Sequence, residues 1–370
     1  MKMKAAVLWD DSGKGKFEIY EVVLADPKPN EVRVKIAGAG VCHTDMTVMD
    51  RSVPLPLPAV LGHEGSGIVD AVGSEVKGIQ VGDHVVLTYY TCGHCEACKS
   101  GNPSGCEMYG PMNFSGFHSD MTHRLTTEDG KDISAFFAQS SFAEYACVDQ
   151  RACIVIDDKD VDLALLGPLG CGIMTGAGAV CNTLAPKVGD SIVIFGCGGV
   201  GLSAVMMAKA MGCATIIGVD AVPSRLELAK ELGCTHVING KETPDVVAAI
   251  KDITGGGAGY SLDTTAVPAL MKAALNCLKI YGVAAVVGTS GDKEISINVQ
   301  FELMGVGKTL KGCIEGDADP HEFIPRLVKL YKAGMFPFDR LITVYPFEQI
   351  NEAFEDSHNG KSIKPVVRIG

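Results

Sequence analysis

Ser191-Ile192-Val193-Ile194-Phe195 runs directly into Gly196-Cys197-Gly198-Gly199-Val200-Gly201, and an apolar stretch from Leu202 to Met211, closed by Gly212, follows. The first five residues, rich in β-branched side chains, read as a buried strand. The glycines read as a tight turn, and the run after them as a helix. Thr215 to Val219 forms a second strand ending in Asp220, which completes one βαβ unit. The alternation continues. Ser224 is expected to cap a helix that reaches Leu232 and stops at Gly233, Val267 to Leu278 to be helical, and Val283 to Val287 to be a strand. The fold class is therefore α/β, with a doubly wound parallel sheet over about 173–314.

Gly196, Gly198 and Gly201 lie between strand and helix, and an acid follows about twenty residues on, at Asp220. Such a turn lets a pyrophosphate approach the helix N-terminus, where unpaired N–H groups and the helix dipole favour negative charge. Asp220 should accept hydrogen bonds from the adenosine ribose, which favours NAD and repels the 2′-phosphate of NADP. Arg225 nearby is the one feature that would accommodate a phosphate.

Outward from this unit, 370 residues predict two or three domains. Residues 1 to about 160 read as mostly β, with short runs at Glu31–Ile36, Gly67–Val72 and Asp83–Leu87 separated by Gly, Pro and Asp. The stretch 108–140 is polar and aperiodic and reads as a long surface or pocket-lining loop. Residues 315–370 are mixed and more charged, and are expected to return to the first domain. The expected boundaries are thus 1–172, 173–314 and 315–370.

Charge and targeting signals narrow the function classes. Asp plus Glu total 44 against 32 Lys plus Arg, a formal charge of −12, which argues against a nucleic-acid binder. The apolar stretch Ala5–Trp9 is too short for a signal peptide. The charge-free run Leu163–Pro186 carries Pro168, five glycines and Asn182, and reads as a buried loop and helix start rather than a membrane span. A cytoplasmic protein without membrane partners is expected.

There are 14 cysteines. Four follow the pattern Cys92-x2-Cys95-x2-Cys98-x7-Cys106 in a loop-like stretch, which suits a tetrahedral zinc ion whose four valences the protein fills, a structural site. His94 lies inside the lobe as a bystander. Cysteines 147, 153, 181, 197, 213, 234, 277 and 313 match no metal spacing and read as small buried hydrophobes.

Three further pieces are dispersed: Cys42-His43-Thr44-Asp45, Gly62-His63-Glu64 and Gly170-Cys171-Gly172. Spacing alone does not join them, and Cys171 by itself reads as core. Together with the four-Cys lobe and GCGGVG, however, the chain resembles the zinc-dependent medium-chain alcohol dehydrogenases along its whole length. GPLGCGIMTGAGAV from 167 and IEGDADPHEFIPRLVKLYKAGMFPFDRLI from 314 are most similar to the aryl-alcohol (benzyl alcohol) branch.

The resemblance implies a mostly-β GroES-like catalytic domain beside a Rossmann domain. It also implies two zinc ions per subunit and reversible oxidation of primary aromatic or allylic alcohols to aldehydes by hydride transfer from a zinc-bound alkoxide to NAD. Cys42, His63 and Cys171 would hold the catalytic zinc, with Glu64 behind it and Asp45 fixing the His63 tautomer. Thr44 would open the proton relay. His43 and Lys364 would meet the pyrophosphate, Thr175 would flank the nicotinamide and Val287 would press on it. Val53, Thr88, Phe136, Thr289 and Ile314 would face the substrate, Thr88 leaving room for a ring.

Two departures stand out. Thr47 occupies the position where relatives often carry the terminal histidine of the relay, so the relay is expected to end in water. His43 stands where an arginine is common, so phosphate contact should weaken as the imidazole loses charge. The alternatives are a dehydrogenase of S-(hydroxymethyl)glutathione, a zinc-free quinone reductase relative and a non-catalytic NAD-binding relative. The first needs a basic pocket, for which 108–140 offers only Arg124 and Lys131. Self-association as a homodimer or homotetramer is expected, with a strand near Ile295–Val299 as a candidate for pairing across a two-fold axis.

Overall fold

The computed structural model describes residues 1–10, 12–13, 15–289 and 291–370. The chain divides into two compact units, one of Met1–Cys171 with Asp319–Val328 and Asp339–Gly370, the other of Gly172–Ala318 with Lys329–Phe338.

The first unit is built mainly on antiparallel sheets. Its central strand, Glu31–Gly40, alternates as a half-buried strand must, with Val32, Val34 and Ile36 inward and Lys35 outward. It pairs with Gly65–Val72 and Tyr145–Asp149, and at its far end with Lys364–Arg368. The end of the chain thus returns to this unit as a strand. Val32, Val34, Ile36, Val69, Val85, Leu87 and Val148 form the core beneath.

The return is not continuous, which corrects the expected boundary at 315. Residues 315–317 are held to the second unit: Thr183 Oγ1 donates to Asp317 at 2.6 Å and Asn182 Nδ2 to the Gly316 carbonyl at 3.0 Å. Lys329–Phe338 stays there too, with Phe336 and Phe338 fully buried and the Tyr331 and Phe338 rings 4.7 Å apart.

Among its described residues the second unit carries six parallel strands, in chain order Ser191–Phe195, Thr215–Asp220, His236–Asn239, Ala258–Asp263, Leu278–Val286 and Thr309–Gly312. Their spatial order is third, second, first, fourth, fifth, sixth, the doubly wound arrangement. Helix starts differ from expectation for local reasons. Gly199–Ala210 begins inside the glycine motif, with Gly198 as its N-cap. The next helix is Pro223–Leu232, capped by Val222, so Ser224 lies within it; Pro223, lacking an N–H, suits the first turn. Pro268–Asn276 is shorter than expected at both ends. Residues 295–298 form no strand, and Asn298 caps the turn Val299–Leu303 through the Phe301 N–H at 3.1 Å.

The stretch 108–140 is less superficial than its polarity suggests. It holds a short helix, Tyr109–Asn113, a small ladder between Leu125–Thr126 and Asp132–Ile133, and the fully enclosed rings of Phe136 and Phe137. Among the described residues no single helix is long and apolar enough to cross a membrane. The apolar run from Leu163 is almost wholly buried and is broken at Cys171.

Candidate active site and metal centres

In the first unit the ligand atoms of Cys42, His63, Glu64 and Cys171 lie within 4.8 Å of one another. Cys42 is the N-cap of the helix His43–Met49, and its own N–H donates to Asp45 Oδ2 at 3.1 Å. The other Asp45 oxygen faces His63 Nδ1 at 3.2 Å and accepts the Gly62 N–H at 3.0 Å. Cys171 follows a turn that lies flat on the neighbouring strand, because a side chain on Gly170 would fall 1.9 Å from the Leu87 carbonyl.

His63 is fully buried, and its Nε2 has no hydrogen-bond partner among the described residues. An orphaned buried ring nitrogen aimed among thiols is costly unless it meets a cation. Burial alone would lower the pKa of the imidazole, but the charges of Asp45 and Cys42 outweigh it and raise it well above the usual value. The Cys42 thiol is held well below its usual value by its hydrogen bond with Cys171, against burial, with Lys364 and His63 adding to the effect. The donor set draws positive charge inward, and two thiolates with one imidazole suit zinc with a fourth position left open.

Aromatic rings wall the histidine. Phe137 stacks on it at 4.5 Å and Phe136 meets it edge-on at 5.4 Å. Behind them, Gln139 donates to the carbonyls of His63 at 3.0 Å and Thr88 at 3.2 Å. Phe137, Ala138 and Ser140 all have positive φ, so the segment that presents these groups is locally strained.

Two expectations are corrected in this unit. Lys364 is not placed to meet a phosphate: it is buried, and its ammonium donates to Glu64 Oε1 at 2.7 Å, Glu64 Oε2 at 2.8 Å and the Val41 carbonyl at 3.2 Å, which uses its three protons. Burial alone would lower its pKa, but the Glu64 charge raises it. Thr88 is fully buried and donates its hydroxyl to the Gly170 carbonyl at 2.7 Å, so it braces the Cys171 turn rather than opening space for a ring.

The remaining first-unit candidates are less enclosed. Thr44 is half-buried, 3.6 Å from Cys42 Sγ, and Val53 is half-buried too. His43 is exposed. Thr47 donates its hydroxyl to the Thr44 carbonyl at 2.8 Å.

The four-Cys lobe closes on itself. Cys92 and Cys98 Sγ are 4.0 Å apart, as are Cys95 and Cys106 Sγ, and all are free of disulfides. Zinc–sulfur bonds of about 2.3 Å in a tetrahedron put sulfurs roughly 3.8 Å apart, so the lobe fits the ion. Backbone N–H groups of Cys95 and Met108 point at Cys92 Sγ and Cys106 Sγ, at 3.3 and 3.4 Å, as they would toward thiolates. His94 is exposed, its imidazole on the Cys92 carbonyl.

In the second unit, Gly196 has φ +91°, and a side chain on Gly201 would fall 1.8 Å from the Gly196 carbonyl, so the turn demands glycine. Gly198, Gly199 and Val200 are half-buried at the helix start. Asp220 Oδ2 accepts the Cys197 N–H at 2.7 Å and Oδ1 accepts those of Ala221 and Val222 at 2.7 and 2.9 Å, which ties the glycine turn to the end of the second strand. Arg225 Nε is buried without a partner among the described residues. Thr175 is buried and donates to Glu315 Oε2 at 3.2 Å. Val287 is half-buried, while Thr289 and Ile314 are exposed.

Residues 28–158 match the family model for the alcohol dehydrogenase GroES-like domain, and residues 199–333 that for zinc-binding dehydrogenase. Geraniol dehydrogenase of Castellaniella defragrans is 45% identical over 354 residues, 95% of this chain and 94% of that protein. The chain belongs to the zinc-dependent alcohol dehydrogenase family. Two solved dehydrogenase structures are similar throughout. An alcohol dehydrogenase zinc-binding domain protein from Burkholderia ambifaria has a TM-score of 0.97 at 47% identity, covering 100% of this chain and 99% of the other. Benzyl alcohol dehydrogenase from Acinetobacter calcoaceticus has a TM-score of 0.96 at 46% identity, covering both chains completely.

Several residues of this dehydrogenase escape sequence reasoning. Phe137 and Gln139 sit in an aperiodic loop without a motif, and nothing in sequence joins Lys364 to Glu64. Of the unassigned cysteines, 147, 153, 197, 234, 277 and 313 are buried as expected, whereas Cys181 and Cys213 are partly exposed.

Proposed function

We propose that this zinc- and nicotinamide-dependent dehydrogenase interconverts primary aromatic or allylic alcohols and their aldehydes, with NAD as cofactor and two zinc ions per chain. The observation that carries the substrate class is full-length similarity to relatives named for geraniol, an allylic alcohol, and benzyl alcohol. The aromatic wall of Phe136 and Phe137 beside His63 supports a flat, unsaturated group there.

Zinc held by Cys42, His63 and Cys171 would supply a Lewis acid that lowers the pKa of the alcohol hydroxyl, and NAD would supply the hydride acceptor. Asp45 holds the Nδ1 side of His63, leaving Nε2 for the metal. Thr44 accepts the hydroxyl proton and passes it on. Thr47, committed to a backbone carbonyl and no base at neutral pH, hands nothing further, so the proton leaves through water. The glycine turn receives the pyrophosphate, with His43 as a further phosphate contact, while Thr175 and Val287 flank the nicotinamide. Asp220 supports NAD over NADP. A second zinc in the four-Cys lobe has a structural role.

The glutathione-adduct reading is disfavoured because Arg124, one of its two basic groups, is committed inside the fold. Arg124 is buried and bidentate on Glu31 at 2.7 and 2.9 Å, and Lys131 lies 5.8 Å over the Trp9 ring. Self-association as a homodimer or homotetramer is supported by the exposed Tyr281, Val299, Phe301 and Met304 of the second unit. The test is NADH formation from benzyl alcohol, geraniol, ethanol and S-(hydroxymethyl)glutathione on protein of measured zinc content. Strong turnover of the first two is expected, and turnover confined to the glutathione adduct would overturn the substrate class.

A further inference from the structure

We infer that Gln139 is a positioning residue for the catalytic zinc, whose amide holds the backbone that carries His63 and the backbone that braces Cys171 at one spacing. The inference rests on the reading of Cys42, His63 and Cys171 as the ligands of that ion. Gln139 is 1% exposed. Its Nε2 donates to the His63 carbonyl at 3.0 Å and to the Thr88 carbonyl at 3.2 Å, which uses both amide protons, and its Oε1 accepts the Gly65 N–H at 3.4 Å.

Each contact leads to a ligand. The His63 carbonyl and the Gly65 N–H lie where the chain enters the strand Gly65–Val72, so the amide fixes the backbone on which the imidazole is mounted. Thr88 follows the strand His84–Leu87, and its hydroxyl donates to the carbonyl of Gly170, the residue before Cys171, at 2.7 Å. Thr88 is therefore held by Gln139 at one end and holds the Cys171 turn at the other. In the four-Cys lobe the ligands are placed by one short loop, whereas His63 and Cys171 arrive from segments distant in sequence. Their spacing must be set by a tertiary contact, and a site with only three protein ligands depends the more on having them in place before the metal binds.

The loop that presents the amide is held against local preference. Phe137, Ala138 and Ser140, on either side of Gln139, have φ of +53°, +50° and +53°. Residues with side chains accept such angles only when their surroundings over-determine them. The Gln139 and Ser140 N–H groups both donate to the Phe136 carbonyl, at 3.0 and 3.1 Å, and the Ser140 hydroxyl accepts the Phe136 N–H at 3.1 Å, so the loop closes on itself. It is tied outward by the Phe137 N–H on the Asn113 carbonyl at 2.9 Å and the Ser141 N–H on the Gly62 carbonyl at 3.0 Å. The second of these lands on the residue before His63. A methionine would fill the same space, but only the amide joins the two carbonyls.

The test is competition of a chelator for zinc in the fully loaded protein, followed by exchange of cobalt(II) into the catalytic position, where its absorption bands report ligand geometry and distinguish two thiolates from four. Gln139→Met should lower the zinc affinity of the catalytic site about tenfold, the low end for partners of metal ligands, because the amide holds backbone rather than the ligand atoms. It should shift the cobalt bands and leave the ion of the four-Cys lobe at its wild-type affinity. Thr88→Val, which cuts the same path at Gly170, should loosen the catalytic ion alone, and Thr88→Ser, which keeps the hydroxyl, should restore it. Should Gln139→Met not fold, Gln139→Asn keeps an amide one methylene shorter and should show the same selective loss to a smaller degree. Equal loss from both sites, or wild-type affinity with unchanged cobalt bands, overturns the proposal. Cys171→Ser checks the reading beneath it: loss of the catalytic ion supports Cys171 as a ligand, and two ions held at wild-type affinity remove that reading, whatever Gln139 does.

Discussion

Replacing Arg124 by methionine removes the guanidinium from one of the most enclosed ion pairs in the first unit. Arg124 and Glu31 are 3% and 2% exposed, and the guanidinium meets both carboxylate oxygens, at 2.7 and 2.9 Å. The lost partner leaves Glu31 buried with His118, at 3.6 Å, and the Lys28 N–H, at 3.0 Å, to face it among the described residues. Breaking such a pair costs about 3–5 kcal/mol. The ionisation of Glu31 gives a consistent figure. Burial pushes its carboxyl up, but the hydrogen bonds of His118 and Arg124 outweigh this and hold it at about 2, against an ordinary 4.5. That difference corresponds to about 3 kcal/mol of stability.

Because the folded pKa is depressed, this stabilisation is complete above about 4.5 and is lost as the pH falls toward 2. Urea unfolding of wild type and Arg124→Met should therefore show a gap of about 3 kcal/mol at pH 7 that narrows by about 1 kcal/mol at pH 4. The ratio of turnover on benzyl alcohol to that on S-(hydroxymethyl)glutathione should not move, since the guanidinium is committed inside the fold. A variant as stable as wild type, or a gap that does not narrow in acid, would refute the energetic argument. A selective loss of the glutathione-adduct activity would refute the assignment of Arg124 to structure.

Lys364→Met should lower stability by about 3 kcal/mol, because it removes the ammonium that meets both oxygens of buried Glu64, yet keep the dissociation constant of NADH within about twofold; thermal melts and fluorescence titration measure the two. Thr47→His should add to the pH profile of kcat a limb near the ordinary histidine pKa of about 6.5, absent from the wild type, and an unchanged profile would argue against a relay that passes Thr44. Cys98→Ser should lower the zinc content by one ion per chain and destabilise the lobe while the other ion remains, as metal analysis after dialysis will show.

The two local devices were legible in the sequence, and the reason is chain geometry. Cys92 to Cys106 span a single loop, so ligand spacing is itself a record of the site, and Gly196 and Gly201 are demanded by the backbone wherever a strand turns directly into a helix. The order of strands and helices followed from hydrophobic periodicity, but helix ends did not. Val222, not the expected Ser224, caps its helix, and the helix expected from Leu202 begins at Gly199, because helix ends depend on backbone angles that composition only suggests.

The cluster of Cys42, His63 and Cys171 was reachable only through resemblance to a family, since Cys171 lies more than a hundred residues from the other two and the three leave no local period. Tertiary structure alone decided which buried polar groups face each other. Lys364 meets Glu64, Thr88 meets Gly170 and Arg124 meets Glu31, each through contacts distant in sequence. A buried donor must find an acceptor wherever the fold brings one, and no pattern within a segment records which one that is.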